Sequence, residues 1–310
     1  MLLVFGSINL DIAFHATRLP GPGETVLGRG YLVSPGGKGA NQAHAAARFG
    51  MPTQLVGAVG DDAFAEAALD GLGAAGVGLD HLRRLPGATG CANIVVDAAG
   101  ENQIVVAPGA NASLRHGDVS EALLSVSEAL LVQMECDVLE TQTLLARARQ
   151  RRCLTVLNNA PAQLLDETTL RNIDVLIVNQ GELRRTGEGI GIKAKTAPPQ
   201  QLQQLAKRFG LRVVLTLGGR GVLACESDGQ LLQMPALAVE VRDSTGAGDT
   251  FAGVLTAALI EGKPLRSALA FASVAAGLAC RHPGARIAQP SRDDVEAALG
   301  HYWATLGPAA

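Results

Sequence analysis

The chain has 310 residues, a formal net charge of −3 and no run of lysine or arginine, which argues against nucleic acid or an anionic membrane surface as its main partner. Hydrophobic residues make up 47% of it, glycine contributes 37 residues and aromatics only 3%, a balance that suits helices packed closely on a parallel sheet and not an all-β sandwich. Five cysteines (Cys91, Cys136, Cys153, Cys225, Cys280) are scattered without a Cys-x-x-Cys pair, so they read as small buried hydrophobes in a reducing cytosol. The first residues, Met1 to Ser7, lack a basic n-region, and the apolar stretch Ala268–Cys280 is far shorter than the about 20 residues of a membrane span. The expectation is a soluble, cytoplasmic protein.

In chain order, Leu2–Gly6 predicts a buried strand, followed at once by the polar Asn9 and Asp11, where ligands of open α/β sheets bind. Residues 12–35 carry Pro20, Gly21, Pro22 and Gly23 between short alternating segments, which reads as a small β excursion. Pro35-Gly-Gly-Lys-Gly-Ala-Asn-Gln42 opens an alanine-rich helix to Phe49, with Gly50 as its stop. A strand over Gln54–Val59 and a helix over Asp61–Ala75 follow, then a hairpin of Cys91–Asp97 and Gln103–Ala107 expected to pair with the first excursion as a lid. Strands are expected at Ala129–Met134, Leu154–Leu157, Asp174–Val178 and Arg212–Leu217, with helices between them, one through Arg151 and one over Gln200–Phe209. Glu188–Pro199 is expected to be a mobile loop, Val222–Pro235 a short β segment, and the chain to end in three helices, the last from about Ser291. Alternating strands and helices imply a mostly parallel, doubly wound sheet.

The most informative stretch is Asp243-Ser-Thr-Gly-Ala-Gly-Asp-Thr-Phe-Ala-Gly253. Val239 and Val241 lead in with strand-like alternation, Ser244 and Thr245 are candidate N-caps, and Phe251, Val254, Leu255, Ala258 and Leu259 recur at helical spacing. A strand turning into a helix through Gly246-Ala247-Gly248 would present orphan N–H groups to an anion. Asp249 then lies beside that anion, which makes sense if it takes a proton while the anion is transferred. A first-turn acid stabilising its own helix is the equal alternative.

Other motifs fail. Gly71-Leu-Gly-Ala-Ala-Gly76 follows a helix, not a strand, and Gly37-Lys38 is followed by Gly39 where a P-loop needs Ser or Thr. No Gly-x-Ser-x-Gly or His-Glu-x-x-His exists, and the six histidines lack metal-ligand spacing. Asn9, Asp11, Lys38 and Asn41 form a set of hydrogen-bonding groups on two neighbouring strand-to-helix turns, suited to a polyhydroxylated ligand, or else ordinary turn chemistry. Glu135 could accept from a ligand hydroxyl or cap the next helix; Asn179 is followed by Glu182, free to reach a hydrated metal or simply a solvated helix-start acid.

Together these stretches resemble the ribokinase branch of the PfkB carbohydrate-kinase family, nearly end to end. Gly6-Ser-Ile-Asn-Leu-Asp11 with Gly36-Gly-Lys-Gly-Ala-Asn-Gln42 is similar to the family's first signature, and Asp243–Gly253 to its second. Pro22–Val26, Ala107–Asn111, Gln133–Glu135, Asn158–Ala162 and Thr216–Gly221 add finer likeness. The resemblance implies a ribokinase-like doubly wound α/β fold, residues 1–310 as a single domain with a small β-sheet lid from about 11–36 and 89–108. It implies an ATP- and Mg²⁺-dependent kinase acting on the 5-hydroxyl of D-ribose, with another sugar or a nucleoside as the nearest alternative. A non-catalytic sugar sensor is the remote one. Asp249 would be the base and the N–H groups of Gly246, Ala247 and Gly248 the anion hole. Asn9, Asp11, Gly37, Lys38, Gly39, Ala40, Asn41 and Glu135 would hold the sugar. Asn179, Thr216, Leu217, Gly218, Gly219, Arg220, Gly221, Gly248 and Ser273 would bind ATP, with Glu182 near Mg²⁺. A monovalent cation, K⁺, would use Asp243, Thr245, Ala279, His282 and Gly284, and two lids would pair in a homodimer. Three positions depart from the family pattern: Ala288 stands where a serine often closes the cation site, Arg184 where a second acid is usual, and Ser273 where a larger polar residue often meets adenine.

Overall fold

The computed structural model describes residues 1–193 and 195–305. A nine-stranded sheet runs through it in the order Leu231–Met234, Val222–Cys225, Arg212–Thr216, Val175–Val178, Leu154–Asn158, Ala129–Val132, Leu2–Phe5, Thr53–Val56, Val77–Gly78. All neighbours are parallel except the hairpin of the first two strands, which joins Arg212–Thr216 antiparallel. The central strands are short apolar runs, such as Leu2–Phe5 and Val175–Val178, buried along their whole length as sheets covered on both faces require. Alternation divides one strand between two cores: Leu2 and Val4 face one, Leu3 and Phe5 the other.

The first core is closed by the helices Lys38–Arg48, Ala247–Ile260 and Leu265–Ala279. Small residues let the first two approach closely. A Cβ on Gly253 would lie 2.5 Å from the Gln42 carbonyl oxygen and 2.9 Å from Ala45 Cβ. The Ala247–Ile260 helix is therefore buried on nearly every side from Asp249 onward, while its tip at Gly248 stays exposed.

A separate four-stranded sheet has the order Gly30–Gly36, Asn9–His15, Gly90–Val96, Asn102–Ala107. Asn9–His15 pairs antiparallel with Gly30–Gly36 and parallel with Gly90–Val96, so the two excursions do join.

Several local expectations change. Asn9 and Asp11 belong to a strand of the small sheet and not to a strand-to-helix turn. The strand over 54–59 breaks at Gly57, where a Cβ would strike Ile8 at 2.6 Å, into Thr53–Val56 and Ala58–Val59. The helix over 61–75 shrinks to Ala65–Leu69, because Gly71 and Gly76 take positive φ. Val239 and Val241 form no strand: the N–H groups of Arg242 and Asp243 instead donate to the Cys280 carbonyl, at 2.9 and 3.3 Å. Neither Ser244 nor Thr245 caps the following helix; its N-cap is Gly246 at φ +74°, and the Thr245 hydroxyl turns to Asp243. Of the loop expected over 188–199, residues 188 and 189 close a helix, Pro198 opens the next, and residue 194 lies outside the described residues.

Overpacking of this kind costs about 1–3 kcal/mol, so Gly253→Ala should lower the melting temperature by several degrees in a thermal unfolding scan. An unchanged transition would mean that the two helices can part freely at this contact.

Candidate functional site

The site forms where the strand order reverses, between Leu2–Phe5 and Ala129–Val132, the switch point at which open α/β sheets bind ligands. Gly6 and Gly39 make the close approach: a Cβ on Gly39 would lie 2.5 Å from the Gly6 carbonyl carbon. That seats the N-terminus of the Lys38–Arg48 helix on the strand end, where the N–H groups of Gly39 and Ala40 donate to the Ser7 hydroxyl and carbonyl, at 3.3 and 2.9 Å. Gly39 and Ala40 thus seat the helix on the strand end, with both N–H groups taken by Ser7. Gly37 takes φ +88° where the Gly36–Gln42 segment crosses residues 7–9 and has no room for a side chain, with the Asn9 backbone nitrogen 2.7 Å from a built Cβ.

Glu135 reaches this helix from the neighbouring strand. Its Oε2 accepts the Lys38 N–H at 3.0 Å, while the helix that follows Glu135 is capped by Asp137. Asn9 is held by Asn111, whose amide donates to Asn9 Oδ1 at 2.8 Å and accepts the Ile8 N–H at 3.0 Å. Asp11 lies against Gly36, where a Cβ would come within 2.2 Å of its carboxylate. Burial, followed by the carboxylates of Glu135 and Asp249, pushes Asp11 up to about 6, with Arg286 and Lys38 pulling the other way.

Asp249 faces these groups from the first turn of its helix and is only 8% exposed. Its two oxygens accept from separate amides, Oδ2 from Asn41 Nδ2 at 3.0 Å and Oδ1 from Gln42 Nε2 at 2.9 Å. The carboxylate in turn holds the Lys38 ammonium charged, above the ordinary lysine range. Gln42 also donates to Asn158 Oδ1 at 3.0 Å and accepts from Gln133 at 2.7 Å, so its own orientation is fixed.

A cavity of about 170 Å³ opens between these parts, with Lys38 and Asp249 on one wall, Asn179, Glu182 and Thr216 on another, and Gly246 and Gly248 at the helix tip. A Cβ on Gly248 would meet nothing, so the tip is an open cradle. The Gly248 N–H, at the second helical position, has no acceptor within its own helix. Ala247 differs from expectation, because its N–H donates to the Ser244 carbonyl at 3.2 Å.

Glu182 also departs from its expected freedom. It and Asn179 form a reciprocal capping box, in which Asn179 Oδ1 accepts the Glu182 N–H at 2.9 Å and both Glu182 oxygens accept from Asn179 at 2.7 Å. Burial raises the Glu182 carboxyl above its usual range. Leu217 leads from Thr216 into a tight turn over Gly218–Arg220 that ends at Gly221, and the exposed Arg220 side chain donates to Gln180 at 3.1 Å. Ser273 is not brought to this cavity; it is buried in its helix with its hydroxyl against Tyr302. Asp243, Thr245 and Gly284 do meet: the Asp243 carboxylate accepts the N–H groups of Thr245 at 2.9 Å and Gly284 at 2.8 Å. Ala279 ends its helix and His282 follows in the next turn, its N–H donating to the Ala279 carbonyl at 3.4 Å. Among the described residues no group of three or more His, Cys, Asp or Glu forms a metal cluster.

Sequence reading assigned no role to Gln42, Asn111, Asn158 or Arg286. The first three lie inside quoted motifs, a signal that was available, whereas Arg286 carried none. Arg286 is 3% exposed and donates to Asn41 Oδ1, so it belongs to the same buried network.

Residues 1–292 match the model of the pfkB family carbohydrate kinases. The chain is 34% identical over 301 residues to the ribokinase of Bacillus subtilis, covering 96% of this chain and 99% of that protein. It is 34% identical over 307 residues to the ribokinase of Haemophilus influenzae, covering 97% and 98%. The solved structure of Arabidopsis thaliana ribokinase complexed with ribose and ATP superposes with a TM-score of 0.87 at 30% identity, over 96% of this chain and 98% of that one. On the family match and these full-length identities, the chain belongs to the PfkB family of carbohydrate kinases.

Proposed function

We propose that this chain is an ATP-dependent sugar kinase that converts D-ribose to D-ribose 5-phosphate. One observation carries the reading: a buried carboxylate, held by two amides, faces an open glycine corner at a helix N-terminus. Phosphoryl transfer asks for that arrangement, since it depends on positioning and charge stabilisation more than on covalent chemistry. Asn9, Asp11, Lys38 and Asn41 orient the sugar so that its 5-hydroxyl lies against Asp249. A bond forms between that oxygen and the γ-phosphorus, the bond to the β,γ-bridging oxygen breaks, and ADP leaves. Asp249 takes the hydroxyl proton and releases it to solvent. The Gly248 N–H and the helix tip stabilise charge on the moving phosphoryl group. Asn179 and Thr216 flank the place where the nucleotide enters.

The donor set suits Mg²⁺ held mainly by phosphates and water, with Glu182 as the cavity carboxylate on the Asn179 side. When bound, that ion withdraws charge from the phosphoryl oxygens. The region of Asp243, Thr245, Ala279, His282 and Gly284 is the place for a K⁺ ion, but the Asp243 carboxylate already accepts from Thr245 and Gly284 and Ala288 offers no hydroxyl, so activation by K⁺ should be weak.

A nucleoside would need an aromatic partner for its base. Phe14 and Tyr31 stack on each other, ring centroids 5.8 Å apart, and alternation puts both on the face of the small sheet opposite Asp11. On the Asp11 face, Leu32, Ile104 and Val106 are exposed, which supports that sheet as a lid and as the dimer contact between two copies. The five cysteines are all free, in keeping with a cytoplasmic enzyme.

A coupled ADP-release assay across pentoses, hexoses and nucleosides tests the reading; ribose should give the highest kcat/KM, and Asp249→Asn should cut kcat by about 10²–10⁴-fold. Sugar binding without turnover in the wild type would sink it. As pH falls through about 6, Asp11 takes a proton and loses its charge, so KM for ribose should rise below that pH and Asp11→Asn should lack this limb. Light scattering should show a dimer, and a strict monomer at micromolar concentration would remove the lid contact.

A further inference from the structure

The chemistry above gives no task to Arg286, the most deeply buried cation beside the site. Its guanidinium donates from Nε to Asn41 Oδ1 at 3.1 Å, from Nη1 to the carbonyls of Ala68 at 2.8 Å and Asp70 at 3.0 Å, and from Nη2 to the carbonyl of Gly36 at 2.6 Å. Arginine has only donors, in a rigid planar fork, so four acceptors from two separate stretches of chain are fixed by one plane.

The contact with Asn41 decides an orientation. An amide has one accepting end and one donating end. With Oδ1 turned to a group that can only donate, Nδ2 is the end presented to Asp249, where it makes its 3.0 Å hydrogen bond. Turned the other way, an amide oxygen would face a carboxylate oxygen and push it aside. The Asn41 backbone is held as well, its carbonyl accepting from Gln289 at 3.0 Å. The contact with Gly36 acts on the other candidate sugar ligand, since Gly36 is the residue against which the Asp11 carboxylate rests.

Arg286 is also joined to the phosphate corner. Gly284 donates its N–H to Asp243 at 2.8 Å, and Ala285 packs on Gly246, its Cα 2.8 Å from where a Gly246 Cβ would be. Three consecutive residues therefore touch the loop before the glycine corner, the corner itself and the sugar-side residues.

Resting on the kinase reading, we propose that Arg286 is a positioning residue for phosphoryl transfer, which sets the Asn41 amide toward Asp249 and the Gly36 turn under Asp11, and ties both to the corner at Gly246 through Ala285. It touches neither reactant. Its effect passes through Asn41 and Gly36.

Arg286→Lys keeps the charge and loses the planar fork, and Arg286→Gln loses the charge. Each is checked first for a cooperative thermal transition. A folded variant should lose about 10- to 100-fold in kcat with ribose, the scale of a misplaced reacting group, while KM for ATP stays within about threefold. In an Asn41→Ala background the same substitution should cost little more, because the two act as one unit. Losses that multiply, or a folded Arg286→Lys enzyme with wild-type kcat/KM, overturn the proposal. So does failure of both variants to fold, which would make the residue structural. A readout independent of turnover is the crystal structure of a folded variant, in which Asn41 Nδ2 should leave hydrogen-bond reach of Asp249; an unmoved Asn41 overturns the proposal whatever the kinetics. Absence of turnover in the wild type would defeat the kinase reading alone, since the Asn41 geometry still tests Arg286.

Discussion

The architecture depends on the two hydrogen bonds by which Asn41 and Gln42 hold the Asp249 carboxylate. A carboxylate this deeply placed needs partners, and unpaired it would be neutralised or expelled. Neighbouring residues of one helix supply those partners to a second helix more than 200 positions later in the chain, and the glycine and alanine contact between the helices makes the distance short enough. The two signature segments are thus one structural unit. Each is half of a site that neither helix could build alone.

Around that pair the charges are arranged for transfer and not for passive binding. Asp11, Glu135, Glu182 and Asp249 are gathered near Lys38 and Arg286, and Lys38 responds most strongly to Asp249. Burial comes first, and the nearby carboxylates of Glu135 and Asp249 add to it, in pushing Asp11 up. Burial brings Arg286 down to about 10, still well charged at neutral pH, so its fork remains a donor to four acceptors throughout the physiological range. Gly248, by contrast, is left bare, and that bareness is what admits an anion to the helix tip.

Much of this was legible in the sequence, for physical reasons that differ by element. The central strands announce themselves because sheets covered on both sides demand unbroken apolar runs, as in Leu2–Phe5 and Val175–Val178. The glycine corner and Asp249 were readable because positive φ and a first-turn acid are local properties. Val239 and Val241 misled because alternation records exposure and not pairing; whether a strand forms depends on a free neighbour, and here the end of another helix takes the N–H groups. Glu182 was read as free because a capping box and a metal ligand begin with the same residue types. Arg286 was invisible because its partners, Gly36, Asn41, Ala68 and Asp70, are defined only by the closed fold.

The placement of Asp11 within the small sheet has a mechanical outcome. Strand Asn9–His15 leaves the large sheet through Ile8, and Asn111 grips both the Ile8 main chain and the Asn9 side chain, so the crossing between the two sheets is pinned at one point. Any rocking of the small sheet about that pivot would move Asp11 little, because it lies only two residues beyond the pin, and would move the rim at His15 more. Access for a sugar and retention of its ligand would then be separable, the outer edge opening while the carboxylate beside Gly36 keeps its place.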